Sequence, residues 1–185
     1  MPATVLIPLA DGCEELEAVT IIDLLRRADI SVITASLTDK PVTASRAVRL
    51  LADTPLDQVI YNEFDMIVLP GGLPGAENLN NDPRIHAVLK RIYQGGQAVA
   101  AICAAPLVLA HSGLLDGKQI SCYPGALNPS DWPTSTFTDQ AVSIDDRVLT
   151  SRGPGTAMDF ALAIIEFLTD KSTRDNVEAD LVRAN

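Results

Sequence analysis

Three short apolar runs in this chain lack the alternation of buried and exposed residues that a half-exposed strand would show. They are VLIPL within Thr4–Leu9, MIVLP beginning at Met66, and AVAAI at Ala98–Ile102. Segments with helical patterns separate them. Continuous apolar strands joined through helices are typical of a parallel sheet that is covered on both faces. Because such crossovers are right-handed, the chain is predicted to fold as an α/β protein, a three-layer α/β/α sandwich around a mostly parallel central sheet.

The same patterns place the other elements. The predicted helices are Glu14–Ala28, Pro83–Tyr93, Ala104–Ser112, Thr156–Leu168 and about Thr173–Val182, with a short helical turn at Pro55–Val59. The predicted strands are Thr4–Leu9, Ser31–Ala35, Met66–Leu69, Ala98–Ile102 and Gln119–Tyr123, with hairpins at Val42–Thr43/Val48–Leu50 and Ala141–Ile144/Val148–Thr150. The inner side of the first helix is expected to carry Leu16, Val19, Ile22, Leu24 and Leu25.

Length, charge and cysteine usage limit the class of protein. The 185 residues are predicted to form a single domain over residues 1–185. A net charge of −10 argues against nucleic acid as the main partner, because phosphate binding needs a basic face. The apolar N-terminal run is too short to span a membrane and is interpreted as a strand. The odd cysteine count without CxxC spacing argues against structural zinc and a disulfide framework, and favours a cytoplasmic location.

The predicted sheet also locates the site. In open parallel sheets, ligands bind beyond the carboxyl ends of the strands. Three segments follow strands and lie at that edge: Asp11–Glu17 after the first strand, Gly71–Gly75 after MIVLP, and Cys103–Pro106 after AVAAI. We therefore expect their side chains and backbone groups to form one site.

Cys103 is the candidate nucleophile of that site. It lies at a strand-to-helix corner, where unpaired helix amides and the helix dipole favour a thiolate, and where a backbone bend is often strained. The alternative is a small, inert core residue. A histidine base is disfavoured, because His111 lies about 12 Å along the same helix and His86 is expected at the surface.

Glu17 is the candidate proton carrier. It is flanked by Leu16 and Ala18 in a helix that faces the sheet, so its carboxyl is expected to be poorly solvated and protonated. It would then donate a hydrogen bond to the Cys103 thiolate, and the pair would share one proton. Glu14 shares its helix face, whereas Glu15 is expected to point elsewhere. The alternative for these acids is dipole complementation in the first helical turn.

Backbone groups complete the predicted site. Gly71-Gly72 is interpreted both as a turn that needs positive φ and as part of an oxyanion site, with the amides of Gly72 and Ala104 directed at one oxygen. The Gly153-Pro154-Gly155-Thr156 turn is interpreted as mainly structural. Cys13 and Cys122 are interpreted as inert buried residues, with a resolving thiol as the alternative for each.

Several motifs together make the chain similar to a known family. LADGCEELEAV, IDLLRRADI, IVLPGGLPGAENL, AAICAAP and LTSRGPGTAMDFALAIIE resemble the ThiJ/PfpI superfamily, above all its parkinsonism-associated deglycase branch and its bacterial chaperone-like relatives. The resemblance implies a flavodoxin-like sandwich and a homodimer. It implies that Cys103 is a nucleophile and peroxide-sensitive thiol, that Glu17 is bonded to it, and that Gly71, Gly72 and Ala104 surround the substrate oxygen. It places Glu14, Arg27 and, from the dimer partner, Arg46 near the pocket. Tyr123 stands where some relatives carry histidine.

The leading functional hypothesis is an enzyme that acts on small dicarbonyls such as methylglyoxal, or on early adducts of protein and nucleotide groups, without a metal or nucleotide cofactor. The alternative is a redox-responsive protective protein with holdase-like chaperoning, in which Cys103 is oxidised to sulfinic acid. A role in thiamine-thiazole biosynthesis would need a phosphate-binding glycine loop, which the sequence does not contain. No membrane partner and no sequence-specific nucleic acid are expected.

Overall fold

The computed structural model describes residues 2–183. Its strands are β1 (Thr4–Leu9), β2 (Ser31–Ser36), β3 (Val42–Thr43), β4 (Arg49–Leu50), β5 (Thr54–Pro55), β6 (Met66–Leu69), β7 (Ala98–Ile102), β8 (Gln119–Ile120), β9 (Thr136–Phe137), β10 (Val142–Asp145) and β11 (Val148–Ser151). Its helices are α1 (Glu15–Arg27), α2 (Leu73–Asn80), α3 (Pro83–Gln94), α4 (Pro106–His111), α5 (Ala157–Leu168) and α6 (Lys171–Asp180).

The central sheet has seven strands in the order β10-β11-β7-β6-β1-β2-β5. All neighbouring pairs are parallel except β10 and β11, which form an antiparallel hairpin at one edge. The small β3–β4 hairpin and the parallel pair β8–β9 lie outside this sheet. The predicted mostly parallel α/β sheet is therefore confirmed.

Successive residues of the apolar strands enter two different cores, which explains why the strands show no polar alternation. In β1, Val5 and Ile7 pack into a core with residues of α1 and α5, whereas Leu6 packs into a core with residues of α3 and α4. In β7, Ala100 faces the first core and Val99 faces the second. Both faces of the sheet are thus covered by helices, as continuous apolar strands require.

The rotation of α1 about its axis differs from the prediction. Its buried residues are Glu17, Ala18, Ile21, Leu24 and Leu25. Leu16 and Val19 were expected on the inner side and are 50% and 48% exposed, so that expectation is wrong. Apolar residues occupy more than one stripe of this helix, and the stripe that faces the core is the one that includes Glu17.

Three further elements differ from the prediction. The segment after Gly72 forms the helix α2, which the sequence pattern does not predict; Pro74 lies in its first turn, where a helix tolerates proline. Helix α4 begins at Pro106 instead of Ala104, since the preceding residues form a turn. The predicted strand Gln119–Tyr123 ends at Ile120.

Within residues 2–183, no helix is both long enough and apolar enough to cross a membrane.

Candidate active site

The three segments that the sequence places at the carboxyl ends of strands come together, because β7, β6 and β1 are neighbours in the sheet. Gly71 marks the meeting point. A methyl group at Gly71 would lie 2.5 Å from Cys103 Cβ and 2.7 Å from Glu17 Oε2. Only a residue without a side chain allows the Cys103 and Glu17 side chains to approach the Gly71 backbone this closely.

Cys103 adopts a left-handed backbone conformation with a φ of 64°. For a residue with a Cβ atom this conformation costs on the order of 1–2 kcal/mol, so the surroundings must hold it in place. The Cys103 amide donates to the Ser151 carbonyl at 3.0 Å, and its own carbonyl accepts from the Tyr123 amide at 2.9 Å. The side chain is almost enclosed, because the residue is only 8% exposed. The strained corner that the sequence predicts is therefore present.

The ionisation of the Cys103 thiol is opposed by its surroundings. Burial, followed by the charge of Glu17, raises the pKa of Cys103 to about 12. The backbone amides of Gly72 and Ala104 act in the other direction and lower this pKa. The pKa of Cys103 is therefore raised, whereas a helix N-terminus alone would lower it. The reason is that the thiol is buried and faces a carboxyl group from which water is excluded.

Glu17 is fully buried. Its Oε2 accepts a hydrogen bond from the Gly71 amide at 2.8 Å, whereas Oε1 has no hydrogen-bond partner among residues 2–183. Burial raises the pKa of Glu17 to about 7; the Gly71 amide and the Cys103 thiol oppose this rise, and the charge of Glu14 adds to it. A carboxyl with such a pKa remains largely protonated up to neutral pH, as the sequence predicts.

Glu14 and Glu15 connect the site to the β3–β4 hairpin. The Ser45 hydroxyl lies 2.8 Å from Glu14 Oε2 and 2.9 Å from Glu15 Oε2, and the Arg46 amide donates to Glu15 Oε1 at 2.8 Å. Glu14 and Glu15 therefore share one partner, although Glu15 is expected to point away from the helix face that Glu14 and Glu17 share. The Glu14 amide also donates to the Gly71 carbonyl at 2.9 Å, which fixes the start of α1 against the glycine turn.

The two arginines of the predicted pocket do not approach Cys103 within this chain. Arg27 ends α1, ten residues after Glu17 and thus about 15 Å along the helix axis, and forms an ion pair with Asp23 at 2.8 Å. The Arg46 side chain is exposed beside the hairpin. Its predicted role requires a second copy of the chain.

Gly153 is the residue that sequence reasoning missed. A methyl group at this position would lie 3.2 Å from Tyr123 Cδ2 and 3.9 Å from Cys103 Sγ. Gly153 therefore leaves space between the tyrosine ring and the sulfur atom. Its neighbourhood depends on the pairing of β11 with β7, which brings the end of β11 beside Cys103. The only sequence signal was the glycine itself, three residues after the end of the predicted strand Val148–Thr150.

The histidines bond elsewhere. His86 contacts the Ser112 hydroxyl and the Asn80 carbonyl, both at 2.7 Å, and His111 contacts Asn80 Oδ1 at 2.9 Å. His86 of α3 is therefore half-buried and not at the surface as expected. The hydrogen bonds of both histidines lead to α2 and α4, consistent with the argument against a histidine base. Among residues 2–183, no three His, Cys, Asp or Glu side chains are grouped so that they could hold a metal ion.

A cavity of about 540 Å³ adjoins the site without including Cys103 itself. Tyr123 lines it, and so does Cys122, whose pKa is raised by burial. Cys13 lies below the surface of the β1–α1 loop, where burial raises its pKa to about 12.

The chain is similar to known proteins both in sequence and in overall fold. The family model described as DJ-1/PfpI matches residues 3–167. The chain is 42% identical over 97% of its length to Protein DJ-1 homolog A of Arabidopsis thaliana, but spans only 46% of that relative. It is 36% identical to the glutathione-independent glyoxalase DJR-1.2 of Caenorhabditis elegans, covering 90% of this chain and 88% of that protein. The crystal structure of Drosophila melanogaster DJ-1beta superposes with a TM-score of 0.94 at 40% identity, over the full length of both chains.

Proposed function

The chain belongs to the DJ-1/PfpI family, and from this premise we propose that it is a cysteine-dependent enzyme for reactive dicarbonyls or early glycation adducts. The observation that carries the proposal is the buried Glu17 carboxyl, which has one unpartnered oxygen among residues 2–183 and lies beside Gly71 together with Cys103. A relative named as a glutathione-independent glyoxalase supports the same class of substrate.

In the proposed reaction, Cys103 is the nucleophile and Glu17 moves protons. The sulfur atom bonds to the aldehyde carbon of methylglyoxal, and the aldehyde oxygen takes a proton to give a hemithioacetal. The Glu17 carboxylate then removes the hydrogen of that carbon as a proton and returns it to the neighbouring ketone carbon. The hemithioacetal hydroxyl loses its proton and the former ketone oxygen gains one. The aldehyde carbon is thereby oxidised to a thioester and the ketone carbon is reduced to an alcohol. Water hydrolyses the thioester, which releases lactate and restores the thiol.

The residues around the sulfur atom suit these steps. The pKa of Glu17 near 7 lets one carboxyl act as acid and as base at neutral pH. The amides of Gly72 and Ala104, which already face the sulfur atom, supply donors for an oxyanion on the carbon bonded to it. The low exposure of Cys103 limits the access of water until the substrate has entered.

The direct test is lactate formation from methylglyoxal. We expect the purified protein to form lactate and Cys103→Ser to lower kcat/KM by roughly three orders of magnitude, since a nucleophile is lost. Cys13→Ala is the matched control, because it removes another buried thiol and should retain the rate.

Equal rates for the protein and Cys103→Ser would refute the proposal. If neither forms lactate while mild peroxide adds two oxygens to Cys103 alone, the oxidation-sensing hypothesis replaces it.

A further inference from the structure

The two helices that begin beside the sulfur atom of the site are also joined to each other at their far ends. Helix α2 begins after Gly72 and α4 begins two residues after Ala104, and the amides of these two residues face the sulfur atom. At the other end, α2 finishes at Asn80 and α4 is capped by Ser112. One imidazole ring, that of His86 on α3, contacts both of these far ends.

We call Asn80, His86 and Ser112 the His86 clamp. His86 Nε2 lies 2.7 Å from the Asn80 carbonyl oxygen, and His86 Nδ1 lies 2.7 Å from the Ser112 hydroxyl. A carbonyl oxygen can only accept, so Nε2 carries a proton and donates it there, which leaves Nδ1 to pair with the hydroxyl. Ser112 is buried and the imidazole is half-buried, so breaking these bonds would leave polar groups poorly solvated.

The separation of α2 and α4 is therefore fixed at both ends. Near the sulfur atom, a methyl group at Gly71 would lie 2.5 Å from Cys103 Cβ and 2.8 Å from the Ile102 carbonyl oxygen, so the two chain segments are in close contact there. Between the ends, Leu79 and Val108 are fully buried in the same core. Helix α2 is about 12 Å long at 1.5 Å per residue, so a shift of its far end tilts the amide at its start.

We propose that His86 is a positioning residue of the active site: by joining the far ends of α2 and α4, it keeps the amides of Gly72 and Ala104 directed at the sulfur atom and at the oxyanion formed beside it. The inference rests on the proposed function, in which these amides stabilise both the thiolate and the oxyanion. Such donors act only when they are held within about 0.5 Å of the productive position. A misplacement of about 1 Å by a distant substitution can lower a rate by up to about 100-fold.

The first experiment measures the alkylation of Cys103 by iodoacetamide at neutral pH and needs no substrate. We expect His86→Leu to lower the alkylation rate by about three- to tenfold, because misdirected amides stabilise the thiolate less. His86→Gln should keep the rate within about twofold, since its amide group can donate to the Asn80 carbonyl and accept from the Ser112 hydroxyl. Val177→Ala controls for a loss of stability alone: Val177 is buried on α6, which packs on α5, and this variant should keep the rate.

The second experiment separates the clamp from the proposed function. With methylglyoxal as substrate, His86→Leu should lower kcat by a similar factor and leave KM unchanged, because the amides act on charge that develops after binding. If the alkylation rates follow the prediction but the unaltered protein forms no lactate, the proposed function fails and the clamp is retained. If lactate forms and His86→Leu changes neither the alkylation rate nor kcat, the inference is overturned.

A second variant decides the question if His86→Leu does not fold. Ser112→Ala removes one of the two bonds of the clamp and should lower the alkylation rate by about two- to threefold; a rate equal to that of the unaltered protein would overturn the inference. The imidazole ¹⁵N shifts of the labelled protein should show a proton on His86 Nε2. A ring with its only proton on Nδ1 would show that the bond to the Asn80 carbonyl is not formed, which would also overturn the inference.

Discussion

Glu17 and Cys103 ionise as a pair, since each alters the pKa of the other. With pKa values of about 7 and about 12, the pair holds one proton over the whole range between them. That proton lies on the carboxyl or on the sulfur atom, and only the form with the carboxyl protonated contains a thiolate. The reactivity of Cys103 near neutral pH therefore depends on Glu17.

This dependence gives a pH prediction. We expect the alkylation rate of Cys103 to rise about tenfold between pH 6 and pH 8 and then to level off, because the first proton leaves the pair near pH 7. In Glu17→Gln the plateau should disappear, and the rate should keep rising about tenfold per pH unit through pH 9, since burial still raises the pKa of the thiol. Mass spectrometry of the Cys103 peptide after iodoacetamide treatment measures both profiles.

Glu15→Gln serves as the control, because Glu15 belongs to the same helical turn but contacts Ser45 and Arg46 instead of Cys103. It should retain the plateau. A plateau in Glu17→Gln would show that the carboxyl does not control the thiol.

The central pair of the site could be predicted from the sequence, but its surroundings could not. Cys103 and Glu17 each follow an apolar strand, and parallel strands bring such positions to one edge. The contact of Gly153 with Cys103 depends on which strand lies beside β7, and local patterns carry no information on that pairing. Arg27 belongs to the same helix as Glu17, but the length of α1 separates the two.

Helix α2 packs directly on the loop that carries Cys13. A methyl group at Gly75 would lie 2.5 Å from both the amide nitrogen and the Cα of Cys13. Both are backbone atoms, so neither has a flexible end that could move aside. Gly75 therefore sets the distance between α2 and the start of α1.

For Gly75→Ala we expect a net loss of about 2 kcal/mol in the free energy of unfolding. Overpacking costs about 1–3 kcal/mol, and the higher helix propensity of alanine recovers up to about 1 kcal/mol. Urea denaturation followed by circular dichroism measures the loss. Gly155→Ala is the matched control: its added methyl group meets no atom within 4 Å, so this variant should be neutral or slightly more stable. Equal stabilities of the two variants would contradict the packing argument.

The same helix shows where local patterns fail. LPGAENLN contains proline and glycine, which normally mark a loop, and only contacts with the β1–α1 loop explain its helical form. By contrast, β1, β6 and β7 have the predicted boundaries. A strand that is buried between two helical layers must be apolar at every position, so the apolar run itself marks where the strand begins and ends.

One face of the molecule exposes apolar side chains that its own core does not use. Leu16 and Val19 lie on α1, and Val48 and Leu51 lie on the β3–β4 hairpin that Ser45 and Arg46 tie to the start of that helix. Several exposed large apolar side chains on two connected elements are typical of a protein interface. This face supports the homodimer that the family resemblance implies, and it brings the exposed Arg46 to the same surface.

We expect the protein to sediment with about twice the 19.7 kDa mass of one chain. Val19→Lys should shift the protein toward the monomer, because the lysine charge would be buried in an apolar interface without a partner. Tyr61→Lys is the control, because Tyr61 is an exposed aromatic residue outside this face. A Val19→Lys protein that sediments like the unaltered chain would exclude the face as the dimer contact.

The layered arrangement of the whole chain was predictable, but the strand order was not. Patterns within single segments indicate that helices cover both faces of a parallel sheet. The order β10-β11-β7-β6-β1-β2-β5 depends on register and on long connections, which no short segment specifies.

Glu17 and the Gly71 amide, which form one hydrogen bond, are 54 residues apart, and the carbonyl that fixes the Cys103 amide belongs to Ser151. During synthesis on the ribosome, Cys103 emerges long before Ser151 does. The nascent polypeptide consequently carries an ordinary thiol, with no buried acid beside it and no bend imposed on its backbone. Chemical competence is therefore acquired only after Ser151 has been synthesised and has paired with Cys103, so a product that is interrupted before that point has no such reactive centre.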